Sequence, residues 1–168
     1  MCADYPEGAA VIPSDHFVRY YNEVFKALEE HGHEHLLRYW RELGRLQTVE
    51  LADKFRQGGL QAAYEYWMGI IKEENCQADV SVTDDYLEFR MHRCPSLSKV
   101  LDNDAVPCEL YCDHCMGWVE PVMGAAGLYA VMDMISRREP RCVFRVFGDR
   151  SKAEEFERRA TLLSKPYG

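Results

Sequence analysis

Positive charge is scarce in this chain. Twenty lysines and arginines stand against 28 aspartates and glutamates, leaving a formal net charge of −8 over 168 residues. Without a basic face to meet phosphates, nucleic acid is disfavoured as a partner, and so is an anionic membrane surface. No apolar run approaches the length of a membrane span. The opening Met1-Cys-Ala-Asp-Tyr-Pro-Glu7 has neither a basic segment nor an apolar one of the kind a secretory signal carries. Repeats, low-complexity tracts and internal linkers are missing too, so a single domain over 1–168 is expected. What is plentiful is cysteine. An odd count of 7 with no signal peptide predicts a reducing, cytoplasmic setting, where thiols serve metals or catalysis more often than disulfides.

Those thiols are concentrated. Cys108-Glu-Leu-Tyr-Cys112-Asp-His-Cys115 packs three cysteines and a histidine into eight residues; Cys94 precedes it and Cys142 follows it. A lone buried cysteine is usually a small hydrophobe. A cluster beside an aspartate and a histidine suggests a metal site or a nucleophile. The Cys-x-x-x-Cys-x-x-Cys spacing is the one radical-SAM enzymes use for an iron–sulfur cluster. Their full barrel takes about 250 residues, more than this chain has, and the stretch before the motif reads as helical. The expected chemistry is therefore zinc, or else an iron–sulfur cluster, held by Cys94, Cys112, Cys115 and either Cys108 or Cys142. Four protein ligands would make such a site structural; an open position would make it catalytic. Asp113 and His114, with Glu120 next, are the candidate acid–base groups. Without a metal, Cys112 or Cys115 with His114 is the candidate nucleophile and base. Arg93 and Arg145, flanking the cluster with Arg141, are candidates to hold a substrate carboxylate.

In chain order, residues 1–13 form a lead-in. Ser14 or Asp15 then caps a helix burying Phe17, Tyr20 or Tyr21, Val24 and Leu28, and ending at Gly32. Three further helical patterns follow: Glu34 to Leu43 ending at Gly44, a segment with Leu46, Val49, Ala52 and Phe55 ending at Gly58-Gly59, and Leu60 to Glu74. His31, Gly32, His33, Glu34 and His35 read as a helix end whose histidines meet the negative end of the dipole, rather than as ligands. The aromatics of this half, Tyr39, Trp40, Tyr64 and Trp67 among them, read as core.

From residue 76 the period becomes two. Ala78 to Val82 and Tyr86 to Cys94 predict a β-hairpin turning at Thr83-Asp84-Asp85. Pro95 ends the second strand, and a short helical turn through Leu97, Val100 and Leu101 follows. Pro121 is expected to open a helix running to about Arg138. Arg141 to Phe147 predicts a strand, and Ser151-Lys-Ala-Glu154 a capping box opening a last helix to about Leu163. The fold class expected is α+β: helices first, then an antiparallel sheet with helices packed on it.

Arg93-Cys94-Pro95 after an amphipathic strand, the cysteine-centred segment, a helix and a strand opening Arg141-Cys142-Val143-Phe144 resemble the L-2-amino-thiazoline-4-carboxylic acid hydrolase family. That family is distantly similar to the 4-vinyl-reductase-type small-molecule-binding domain, whose closing strand also carries Cys-x-Phe. The resemblance covers roughly residues 60–148. It implies an α+β domain that opens a cyclic C–N bond in a small heterocycle or, on the 4-vinyl-reductase side, a cysteine-rich metal site beside a ligand pocket. The dense Cys108-x-x-x-Cys112-x-x-Cys115 departs from the family pattern. Two functions follow as expectations: a small-molecule hydrolase, or a non-enzymatic module binding a metal or small ligand, with a homo-oligomer or larger assembly open to either.

Overall fold

The computed structural model of the protein describes residues 14–74, 76–102 and 106–167. Helices α1 (Ser14–His31) and α2 (His33–Glu74) come first. Strands β1 (Gln77–Val82) and β2 (Tyr86–Arg93) form a hairpin, followed by α3 (Pro95–Leu101) and α4 (Asp113–Ala126). Strands β3 (Tyr129–Asp133) and β4 (Cys142–Phe147) and helix α5 (Arg150–Glu157) complete the order. The four strands make one antiparallel sheet in the order β1-β2-β4-β3. The fold is α+β, as the alternation of periods predicts.

Why the inner face of the sheet is buried can be read from its register. Leu87, Phe89 and Met91 of β2 stand opposite Val146, Phe144 and Cys142 of β4, and Met132 of β3 stands opposite Phe144. Successive side chains alternate across a strand, so these share one face. They pack with Phe55, Ala62, Ala63, Met116, Val122 and Met123 of α2 and α4 in the larger core. A second core lies between α1, the first part of α2 and α3, around Phe25, Leu36, Trp40, Leu97 and Val100. The outer face of the sheet carries Val131 and Phe147 under α5.

Four sequence expectations need correction. Gly44 does not end a helix: α2 runs through it, because a glycine there lets Trp118 O of α4 approach to 2.9 Å from where a Cβ would stand. The break falls at Gly59, whose left-handed φ of 57° glycine adopts without steric cost. On α1 the buried line is Val18, Asn22 and Phe25, whereas Phe17 and Tyr20 are exposed. Asn22 rotates the inward face because it binds the chain elsewhere: its Oδ1 accepts from Cys108 N (2.8 Å) and its Nδ2 donates to Val106 O (3.1 Å).

The expected helix from Pro121 to Arg138 is the third correction. The observed helix starts eight residues earlier, at Asp113, and contains Pro121. Proline cannot donate to the carbonyl four residues back. That carbonyl, Gly117 O, accepts instead from the Tyr167 hydroxyl at 2.6 Å, so the defect is repaired from outside the helix. Gly127, with φ 78°, closes α4. Tyr129-Ala-Val-Met-Asp133 then pairs with β4 as β3, an element missed because a short apolar run reads equally well as helix or strand. Lastly, α5 ends at Glu157 and its N-cap is Asp149, whose carboxylate accepts from Ser151 N at 2.7 Å; Glu154 pairs with Arg150 rather than closing a capping box.

Candidate functional site

The first turn of α4 lies where both cores meet, and it carries most of the singled-out residues. Asp113 is buried and both its oxygens are engaged: Oδ1 accepts from Ser164 Oγ (2.8 Å), and Oδ2 from Arg137 Nη1. Arg137 also donates to Glu109 O at 2.9 Å. It reaches inward from the β3–β4 connection, where Ile135 adopts φ 62° and its N–H is held by Asp133 Oδ1 (3.0 Å). Such a conformation is costly for a β-branched residue and persists only where its surroundings impose it.

His114 is enclosed by rings. Its centroid lies 5.5 Å from Phe25, 5.0 Å from Tyr111 and 4.7 Å from Trp118. Nδ1 is hydrogen-bonded to Tyr111 O, and as the group facing a carbonyl it is the protonated nitrogen. Nε2 lies 3.6 Å from Cys115 Sγ. Burial pushes the His114 pKa down to about 4, against the smaller upward pull of the Tyr111 carbonyl and Asp113. At neutral pH the ring is uncharged.

The thiols are displaced in the opposite sense. Desolvation is the first cause in each case, raising Cys94 to about 11 and Cys112 and Cys115 to about 12, with Cys142 also well above the ordinary thiol range. Cys115 keeps exposed surface, yet its sulfur stands among enough protein, with Asp113 and Glu74 nearby, for the thiolate to be disfavoured. A helix N-terminus ordinarily lowers a thiol pKa; here burial outweighs it. For Cys94, Cys112 and Cys142 the next cause is the Cys115 thiol. Cys115 and Cys94 each raise Cys112, and Cys115, Cys94 and Cys112 together raise Cys142. Like charges raise one another's pKa when they are near, so Cys94, Cys112 and Cys142 lie within electrostatic reach of Cys115. Backbone geometry agrees: Cys94 N donates to Pro140 O at 2.5 Å, two residues before Cys142.

Cys108 does not join them. It is buried in the second core, and the charged groups acting on it are Glu29, Lys26 and Glu109. Cys76 takes its place at the edge of the group: Cys94 helps push its pKa up to about 12, and its Sγ donates to Glu74 Oε2 at 3.9 Å. Sequence reasoning passed over Cys76. The available signal was the hairpin, since β1 and β2 run antiparallel and Gln77 pairs with Arg93, one residue short of Cys76 and Cys94.

The two arginines stand apart from this group. Arg145 lies on the outer face of the sheet, where Nε and Nη2 reach Glu88 Oε2 at 2.7 and 2.5 Å and the guanidinium lies over the Tyr86 and Phe156 rings. Arg93 is exposed, 3.9 Å from Asp102 Oδ2. Of the other histidines, His31 contacts Ala27 O, His33 pairs with Glu29 and His35 with Glu34, all near the surface. Glu120, about two turns from Asp113 along α4, lines a separate cleft. Among the described residues, no group of three or more His, Cys, Asp or Glu side chains is placed to hold a metal ion. No described helix is long and apolar enough to cross a membrane. No known protein family, curated protein or solved structure matches the chain.

Proposed function

We propose that Cys94, Cys112, Cys115 and Cys142 bind a thiophilic metal, zinc in the first instance and an iron–sulfur cluster in the second, and that the chain is a metal-binding module. The observation that carries this reading is that Cys115 raises the thiol pKa of Cys94, Cys112 and Cys142, cysteines from three separate parts of the chain. Among the described residues, Arg137 beside Cys112 and the backbone N–H groups of Ser96 and Leu97 beside Cys94 offset only part of the desolvation, so the thiols stay protonated in the free chain. A metal ion replaces those protons, since coordination deprotonates a thiol outright. The donor chemistry fits such an ion. Convergence of the sulfurs is left to binding itself, as in small domains whose metal supplies folding energy. The test is elemental analysis of anaerobically purified protein, followed by thiol titration and melting with and without a strong chelator. One equivalent of zinc, or iron with sulfide, together with a chelator-dependent melt, is expected; no metal and no chelator effect removes the reading.

A second reading is hydrolysis of a small heterocyclic acid, which the family resemblance implies. The observation favouring it is the Cys115 Sγ to His114 Nε2 approach of 3.6 Å, the reach of a nucleophile and its base. Both partners rest uncharged at neutral pH, so this reading requires substrate or metal to release the thiol proton. Turnover of an aminothiazoline carboxylate that is lost in His114→Ala supports it; no turnover across cyclic amidines leaves the binding module alone.

A further inference from the structure

Between α4, β3, α5 and the C-terminal segment lies a cleft of about 420 Å³, within the size range of small-molecule sites. Met116, Glu120 and Gly124 line it from α4, spaced four apart and so on one face of the helix. Four other charged groups share the cleft, and they neutralise one another in pairs. Arg150 Nε lies 2.9 Å from Glu154 Oε1, and Lys165 Nζ lies 2.7 Å from Glu157 Oε2. Glu120 is left with no hydrogen bond or ion pair to any described residue. Burial is the largest influence on its carboxyl and raises its pKa; Lys165 pulls it down and Glu157 pushes it up. The rest of the lining is largely apolar: Leu128, Leu163 and the ring of Tyr129, which is 39% exposed.

We propose that this cleft binds a small organic ammonium ion with a short apolar or aromatic stem, its ammonium on the Glu120 carboxylate and its stem against Leu128, Tyr129 and Leu163. An anion finds no unpaired cation here, because Arg150 and Lys165 are both engaged. A neutral ligand would leave the Glu120 carboxylate desolvated and unpaired, which is costly. An ammonium supplies the missing charge, and the face of Tyr129 adds cation–π attraction. The site is separate from the thiols and stands or falls without them.

The test is titration of the full chain with 2-phenylethylamine, with 2-phenylethanol and 3-phenylpropanoate as neutral and anionic controls, followed by calorimetry and by the backbone amide signals of Gly124 and Tyr129. The expected result is saturable binding of the amine, roughly tenfold or more tighter than either control, weakened by a similar factor in Glu120→Gln. Glu120 is exposed and unpaired, so the variant should melt with the parent and report on binding alone. Equal binding of the alcohol, unchanged amine binding by Glu120→Gln, or no saturable binding of the amine overturns the proposal. Repeating the titration after chelation should change nothing; a loss there would place the amine at the thiols instead.

Discussion

At the first turn of α4, Asp113 and His114 are buried, and each polar atom they own faces a partner. Two turns further along the same helix, Glu120 is exposed and has none. The first turn is where titratable groups are densest in the sequence, yet of Asp113, His114 and Cys115 only Cys115 keeps exposed surface. Density reflects the meeting of two cores, which need polar side chains able to satisfy one another. Availability requires a concave surface and an unmet charge, and those occur where the sequence has one carboxylate among apolar residues. Local crowding of reactive residue types is therefore weaker evidence for chemistry than one unpaired charge in a cleft.

The sharpest way to break this contrast is Asp113→Ala. It removes the partner of Arg137 and Ser164 inside the protein, and losing one member of a buried ion pair typically costs about 3–5 kcal/mol. Denaturant unfolding measures it. A cost below about 1 kcal/mol would show that the first turn is not the structural node described above.

Next in size is a pH effect. His114 titrates near 6.5 when unfolded and near 4 when folded, so the unfolded chain takes up the proton first. Its contribution is fully present above about pH 6.5 and is lost as pH falls towards 4, about 3 kcal/mol in all. Unfolding curves across that window should show the decline, and His114→Gln should flatten it. A parent curve already flat from pH 6.5 to 4 would mean that the ring is reached by solvent after all.

Gly117→Ala probes the packing that holds the first turn in place. The new methyl would sit 2.9 Å from Trp40 Cβ and 3.0 Å from Cε3, closer than van der Waals contact allows. Overpacking of this kind costs typically about 1–3 kcal/mol, and a lowered melting temperature should register it, with Gly124→Ala, which meets nothing within 4 Å, as the neutral control. At the small end, Glu120→Gln should leave stability within about 0.5 kcal/mol of the parent, as exposed substitutions away from special features do. A larger loss would give Glu120 a structural role like that of Asp113 and dissolve the contrast.

Much of the architecture is legible in the sequence alone. The hairpin of β1 and β2 shows in its alternation and its Thr83-Asp84-Asp85 turn, α3 in the spacing of Leu97, Val100 and Leu101 after Pro95, and β4 in Val143, Phe144, Val146 and Phe147. That Cys94 and Cys142 lie at strand ends near the Cys112–Cys115 segment was legible in part, and the Cys94 N to Pro140 O bond agrees with it. Cys108 could not be separated from them, since the distinction rests on Asn22 of α1 tying down its backbone from 86 positions away.

What the sequence determined by itself is local: where the period is two or 3.6, where a proline forbids a donor, and where glycine permits a left-handed turn. Such preferences act within a few residues and survive in any context that does not oppose them. The tertiary structure decided the rest. It carried α2 through Gly44 because α4 needed close approach, and it let α4 contain Pro121 because the Tyr167 hydroxyl satisfied the freed carbonyl. It made Tyr129–Asp133 a strand because β4 offered an unpaired edge. It also set each titratable group's protonation, because desolvation depends on how much of the chain folds over a side chain and not on its neighbours in sequence.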